Sequence, residues 1–530
     1  MSFFPQSAQW LAEAESLHPT LHTRDVEPLR AVEIVADESA HSGWSAREGE
    51  AIEALIAKNW RQGESFTLDL GDHHVGYLSF DIGVEGEMDA PTRLRLVFAE
   101  MPLELGESFD PHVSQLSRAW LQDEVLTLDL LPRDGTTQRI ELPRRYAFRY
   151  VRIEILATAT SFSLRLQNFK CRSVSSADDS RLEPLSLPAD ADPIWARIDA
   201  VSCRTLRGCM QEVFEDGPKR DRRLWLGDLR LQALANATSY RDFALVKRCL
   251  LLFAGLTRAD GMVTACVYHR PAPFPSPTVI TDYALLFGPT LLEYAQHSGD
   301  WETARELWPV AARQLELALE WVGEDGLWHN RENLWTFLDW NDELQKNAAM
   351  QGVLGFSLLK TAELAQKFGF EREKASYEAA HDRCRAAVWK TFWNARIERI
   401  EDAGQTSWLS AAWLLLGELL PHELASRALQ NALDAPDSIR PISPYAAHTV
   451  IEALLHCGLE SRAAALLRDF WGAILEAGAD TFPEIWNPAD GRATPYGTPL
   501  MNSHCHAWSC TPTFFLRAFP ALATTIATQR

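Results

Sequence analysis

The hydrophobic period of this chain changes once, between about residues 168 and 193, and that change restricts the fold more than any other feature. Up to about Asn168 apolar and polar residues alternate in short runs, among them FTLDL, VGYLSFDIGV, RLRLVFAE, VLTLDLL, RYVRIEIL and FSLRLQNF. Turn residues such as Gly71-Asp72 separate them. Period two over short, repeated segments predicts half-buried strands, and several in succession predict an antiparallel β-sandwich over residues 1–172. A polar, proline-spiced stretch at 173–192 then reads as a linker. From 193 the period becomes 3.6, with helical runs near 193–214, 229–239, 242–256, 281–298, 301–322, 347–368, 372–392, 406–419, 421–434, 444–457, 460–477 and 506–517. Twelve antiparallel helices in sequence suit an all-α (α/α)6 barrel over 193–530, six inner helices ringed by six outer ones. A regular solenoid is the lesser alternative, since no short repeat is visible.

Loop lengths sharpen this picture. Connections after even-numbered helices are short, as at Tyr240-Arg241, Gly299-Asp300 and Gly458-Leu459, whereas those after odd-numbered helices are long: 215–228, 257–280, 323–346, 393–405, 435–443 and 478–505. In an up-and-down array all odd loops fall at one end. Long loops in a compact domain usually carry function, so one end of the ring should carry a site.

Composition narrows the ligand. The 530 residues carry 72 acidic and 51 basic side chains, a formal net charge of −21. Such a surface excludes nucleic acid and anionic membranes as partners and suits a neutral or cationic small molecule. The N-terminus has no basic, apolar leader pattern, and no apolar run is long enough to span a bilayer. The nine cysteines are scattered without a CxxC pair, so a reducing cytoplasm is the expected home. Cys505 and Cys510 lie close to His504 and His506, but the spacing fits no standard metal site, and neither metal nor cofactor is expected. Nineteen tryptophans are core filling or flat walls for sugar rings; composition alone does not choose.

Three of the long loops join carboxylates to tryptophan. The first, EDGPKRDRRLWLGD, packs four carboxylates and four cations into 215–228, with Asp216, Asp221, Trp225 and Asp228. The third, LWTFLDWNDE, holds Trp335, Asp339 and Trp340; the last, DTFPEIWNPADG, holds Glu484 and Trp486 and is followed by SHCHAWS with His506. Any one of them has a plain structural reading as a cap or ion-pair cluster. Converging at one end, they suit glycoside hydrolysis, which needs a proton donor on one side of the scissile bond and a carboxylate on the other. Arg220, Arg222 and Arg223 would hold neighbouring carboxylates ionised, while burial or like charge would keep a donor protonated.

EDGPKRDRRLWLGD, LWTFLDW and TFPEIWNP followed by NSHCHAWSCTP, in this order, resemble the signatures of the α-L-rhamnosidases of glycoside hydrolase family 78. The likeness runs over most of the chain from about Phe66. It implies an (α/α)6 catalytic barrel behind a β-sandwich, release of terminal α-L-rhamnose with inversion, and no cofactor. Glu484 takes the family's general-base position. In the family's common form the acidic donor falls where this chain has Arg222, and a glycine is missing before Trp225. A shorter variant, Asp-Gly-Pro-Lys-Arg-Asp, puts the donor at Asp221, with Asp216 second. Asp216, Arg220, Trp225, Asp228, Trp335, Asp339, Trp340, Trp486 and His506 are the expected substrate-binding residues. The expected partner is a small rhamnose-containing glycoside, and the β-domain is an expected surface for a homodimer. The rivals are another (α/α)6 enzyme (a glucosidase, lyase or epimerase) and a sugar-binding protein without turnover.

Overall fold

The computed structural model describes residues 3–87, 90–108, 117, 119, 124–133, 135–331 and 334–524. An antiparallel β-rich domain precedes a helical domain. The organising element of the first is one 22-residue strand, Ser65–Gly86. Its first half pairs with Arg30–Ala36 and Tyr146–Ala157; its second half pairs with Thr137–Glu141 and Phe162–Ser175. Sequence predicts two strands here, broken at Gly71-Asp72. The glycine does adopt positive φ, 86°, but as a bulge: the register with Tyr146–Ala157 shifts between Asp69 and His74 while the strand runs on. Leu68, Leu78, Phe80 and Ile82 from this strand join Leu94, Leu96, Phe148, Val151 and Ile153 in the core, as alternation requires.

Three boundaries differ from expectation. Strands His22–Val26 and Trp44–Glu48 are too polar for their pattern to be visible, and Arg30–Ala36 is largely apolar without alternation. Helix Ser7–Ser16 packs on helix Phe243–Gly255, and Phe4, Trp10 and Ala14 belong to the helical core, so the first residues are not part of the β-rich domain. The expected linker also begins too early, because Ser173–Ser175 still pair with His22–Arg24.

All twelve helical runs form helices, some shortened or interrupted. The first ends at Cys209, and Leu226–Thr238 starts early enough to hold Asp228 in its first turn. Helices Leu226–Thr238, Phe287–Ser298, Asn347–Phe368, Trp408–Leu416 and Pro444–His456 pack each on the next. Helix Pro512–Ala518 returns to the first of them, and Phe515 meets His448 at 4.8 Å. Asn347–Phe368 is buried on nearly every side. Its neighbour Glu371–Thr391 buries one stripe, Tyr377, Ala380, His381, Cys384, Ala387 and Val388, as an outer helix should.

Buried carboxylates tie the long loops to helix starts. Asp282 accepts the backbone N–H groups of Phe337 and Leu338 at 2.8 and 3.1 Å. Asp339 accepts those of Trp340, Ile442 and Ser443 and the Ser443 hydroxyl, and Ser443 caps helix Pro444–His456. With four donors on its two oxygens, Asp339 organises the loops. Asp339→Ala should therefore lower stability by about 2 kcal/mol through the stranded N–H groups, read as a lower unfolding midpoint. A loss of sugar binding at unchanged stability would instead return Asp339 to the sugar.

Candidate active site

The charges of the first long loop divide into two sets. One set faces the β-rich domain: Glu215 pairs with Arg145 at 2.7 Å, Lys219 with Glu104, and Arg222 with Glu124 at 3.3 Å. In the other set Arg220 reaches Glu484 in the last loop and Asp228 lies beside His506, with Asp216 and Asp221 next to them. A tight turn parts Arg220 from Arg222, one from each set. Asp221 and Arg222 both adopt positive φ, 63° and 53°, and the Arg222 N–H donates to the carbonyls of Arg220 and Gly217. Strained, non-glycine backbone of this kind costs roughly 1–3 kcal/mol per residue and is characteristic of functional sites. Gly217 is needed for a different reason: a Cβ there would lie 2.6 Å from Ser503 Oγ.

Arg220 is the centre of the arrangement. Its guanidinium lies 2.7 Å from Glu484 Oε2 and 3.5 Å from Asp221 Oδ1, and its Nε donates to the Met501 carbonyl at 2.7 Å. The two outer nitrogens of one planar guanidinium are about 2.3 Å apart. The bridged oxygens of Asp221 and Glu484 are therefore within about 8.5 Å of each other. Tyr496 donates its hydroxyl to Glu484 Oε1, and its ring lies 4.4 Å under the Arg220 guanidinium. The Glu484 backbone is fixed by N–H donation to Ser503 O and by the Trp508 indole donating to its carbonyl at 3.0 Å.

Electrostatics sorts these acids. Burial raises the pKa of Glu484, but Arg220, His506 and the Tyr496 hydroxyl outweigh it and leave the carboxyl below its usual value. Asp216 is the reverse: burial first, then Asp221 and Asp228, push it well above the carboxylate range. Asp228 is raised as well, burial prevailing over His506. Asp339 is pushed up to about 6 by burial, against the donors that surround it.

Several buried polar atoms here have no hydrogen-bond partner among the described residues: Trp225 Nε1, Trp340 Nε1, Asp228 Oδ1 and both ring nitrogens of His506. His506 Nε2 lies 3.2 Å from Asp228 Oδ1, close enough for an ion pair but out of hydrogen-bond alignment. Trp340 meets Tyr496 edge-on at 5.5 Å, and Trp335, 39% exposed, stands beside Trp340 at 6.0 Å on the rim.

Three residues expected to contact sugar have protein partners. Asp339 is committed to backbone donors, as above. Trp486 gives its N–H to Ile442 O and packs its ring on His41 at 4.4 Å, in the crevice against the β-rich domain. Arg220 donates to Glu484 and to the Met501 carbonyl. Tyr496 and Trp508 were not singled out by sequence; the only trace of Tyr496 is its position in the same long loop as Glu484. Among the described residues no group of three or more His, Cys, Asp or Glu side chains could hold a metal, and no helix is long and apolar enough to cross a membrane.

Comparison with known proteins identifies the family. Residues 28–173 match the family model for the glycosyl hydrolase family 78 alpha-rhamnosidase N-terminal domain, and residues 190–518 match that for the bacterial alpha-L-rhamnosidase 6 hairpin glycosidase domain. A Klebsiella oxytoca rhamnosidase solved with rhamnose bound is 41% identical, with a TM-score of 0.92 over 97% of this chain and 99% of that one. A family 78 rhamnosidase from Bacillus sp. GL1 shares the fold at 22% identity and a TM-score of 0.73, over 91% of this chain and 50% of that one. A Streptomyces avermitilis α-L-rhamnosidase complexed with L-rhamnose does so at 18% and 0.67, over 95% of this chain and 44% of that one. The curated protein sequences contain no match. On the strength of the two domain models and the Klebsiella relative, the chain belongs to the α-L-rhamnosidases of glycoside hydrolase family 78.

Proposed function

We propose that the chain is an inverting glycoside hydrolase releasing terminal α-L-rhamnose, with Glu484 as general base and Asp221 as proton donor at the end of an (α/α)6 barrel behind a β-sandwich. The observation that carries the reading is Arg220, which holds Asp221 and Glu484 within about 8.5 Å. Inverting enzymes keep their two carboxyl groups roughly 6.5–9.5 Å apart so that a water fits between sugar and base, and this upper limit falls in that range; the anomer of the first product distinguishes it from the ~5–5.5 Å pair of a retaining enzyme. The Klebsiella relative, solved with rhamnose, supports the choice of sugar. Trp225, Trp340, Asp228 and His506 supply the polar atoms that sugar hydroxyls would satisfy. The carboxyls of Asp216 and Asp228, both raised by burial, would exchange hydrogen bonds with those hydroxyls.

In the reaction Glu484 takes a proton from water, which attacks the anomeric carbon; Asp221 gives its proton to the glycosidic oxygen, and the alcohol leaves from the opposite face. Asp221 suits the donor role because its strained turn thrusts it from the loop and its side chain keeps 15% of its surface open. The enclosed Asp216 has Oδ1 committed to the Arg223 N–H at 3.0 Å. One fact favours Asp216 as an alternative donor: burial, Asp221 and Asp228 raise its pKa well above the ordinary carboxylate value. The scattered free thiols support the cytoplasm as the setting.

Proton NMR of an aryl α-L-rhamnoside digest should find β-L-rhamnose first; the α-anomer first would rule out inversion. Glu484→Gln should lose about 10³-fold or more in kcat while still binding rhamnose. Because Glu484 is held below its ordinary value, the acidic limb of kcat/KM should fall below pH 4.5, activity disappearing as pH drops through that limb. Asp221→Asn should lose about 10²–10⁴-fold on poor leaving groups and far less on a dinitrophenyl rhamnoside, which needs no proton. If that leaving-group dependence appears in Asp216→Asn instead, Asp216 is the donor.

A further inference from the structure

The structure assigns Tyr496 as the positioning residue that sets the ionisation and aim of Glu484, an inference that rests on Glu484 being the base. Each oxygen of the Glu484 carboxylate has its own donor, the Tyr496 hydroxyl on Oε1 and Arg220 on Oε2. These two donors are not independent, since the guanidinium of Arg220 rests 4.4 Å over the Tyr496 ring. The tyrosine is therefore one half of the clamp and the floor beneath the other half. Trp340 meets its ring edge-on at 5.5 Å, and Leu500 and Met501 complete an apolar cluster around it. Its backbone N–H donates to Thr494 Oγ at 3.1 Å. The ring is 8% exposed, so the clamp is enclosed. Burial and the adjacent Glu484 push its own pKa well above the ordinary tyrosine value, so the hydroxyl keeps its proton and acts as a donor.

The physical consequence has a definite sign. A hydrogen bond donated to the charged form of a carboxyl favours that form. Removing the Tyr496 hydroxyl takes one of two donors from a buried carboxylate, and its pKa must rise. Arg220, still packed on a phenyl ring, keeps the other oxygen. The clamp also fixes the carboxylate orientation, and a base within hydrogen-bond reach of its water loses rate when it can swing.

The test is Tyr496→Phe, which removes one oxygen atom and keeps the ring under Arg220. With an aryl α-L-rhamnoside, the acidic limb of kcat/KM should move up by about one pH unit and kcat should fall about 10-fold, with KM within about twofold. Adding Tyr496→Phe to Glu484→Gln should cost nothing further in kcat. The carboxyl ¹³C resonance of Glu484, assigned by its absence from Glu484→Gln, should titrate higher in Tyr496→Phe than in wild type, and that readout does not depend on turnover. An unmoved Glu484 titration and acidic limb would overturn the assignment, even if kcat fell through loss of packing. A wild-type enzyme inactive on rhamnosides would instead strike at the hydrolytic reading and leave the ¹³C comparison to decide the clamp.

Discussion

A buried guanidinium between two carboxylates is the constraint on which the site depends. Arg220 is 6% exposed, and a cation so enclosed is tolerated only when its charge is answered. It is answered by Glu484 from the last long loop and by Asp221 from its own, while its Nε donates to the Met501 carbonyl. Removing either acid would leave the cation short of charge, and removing the cation would leave Glu484 buried beside Asp228 with one donor fewer. The chain therefore brings together residues 264 positions apart in sequence because their charges cannot be buried separately. Hydrolysis needs the same geometry, two acids facing each other across a gap a water can enter.

The β-rich domain takes part in this, although it supplies no acid to the reaction. Arg145 holds Glu215, Glu104 holds Lys219, and Glu124 holds Arg222, so three of the charges in the first loop are answered from that domain. Glu100 accepts from the His504 backbone at 2.7 Å, and Asp480 accepts from that of His73 at 2.7 Å, which ties down the last loop as well. Both long loops are therefore held from the β-rich side. A loop is a poor support for a catalytic group unless something rigid fixes it, and here the rigid element is a sheet built on one 22-residue strand.

What could be read in the sequence follows from how local each cause is. The change of period at the domain junction is local, so strands and helices are visible in the pattern. The acid-and-tryptophan loops are local too, and Asp221, Glu484, Asp216 and Asp228 come together in one cluster. The capping role of Asp339 is not legible because its partners, Ile442 and Ser443, lie about a hundred residues away, and nothing within LDW distinguishes a cap from a sugar ligand. The packing of Trp486 is not legible either, because His41, its partner, belongs to a stretch whose strands have no clear alternation. Tyr496 carries no signal of its own in ATPYGTP; it matters only because the loop folds back on Glu484. The N-terminal helix is missed for the same reason, since Trp10 finds its place only beside Glu306.

The turn at Asp221 and Arg222 explains why the first loop must be so charged. Arg220, Asp221 and Arg222 are consecutive, yet their side chains part: Arg220 reaches Glu484, Arg222 reaches Glu124 of the β-rich domain, and Asp221 lies between Arg220 and Arg223. An extended strand offers two directions and a helix spreads them by 100° along one rising face. Two successive residues at positive φ turn the chain sharply enough to send neighbouring side chains apart. Arg222 then steadies the turn it stands in by donating to the Pro218 and Lys219 carbonyls at 3.0 and 2.8 Å. Gly217 lets the same turn close against Ser503. Strain at Asp221 is thus offset by ion pairs on either side of it, and the carboxyl is left as the one member of the triplet directed to neither partner loop nor sheet.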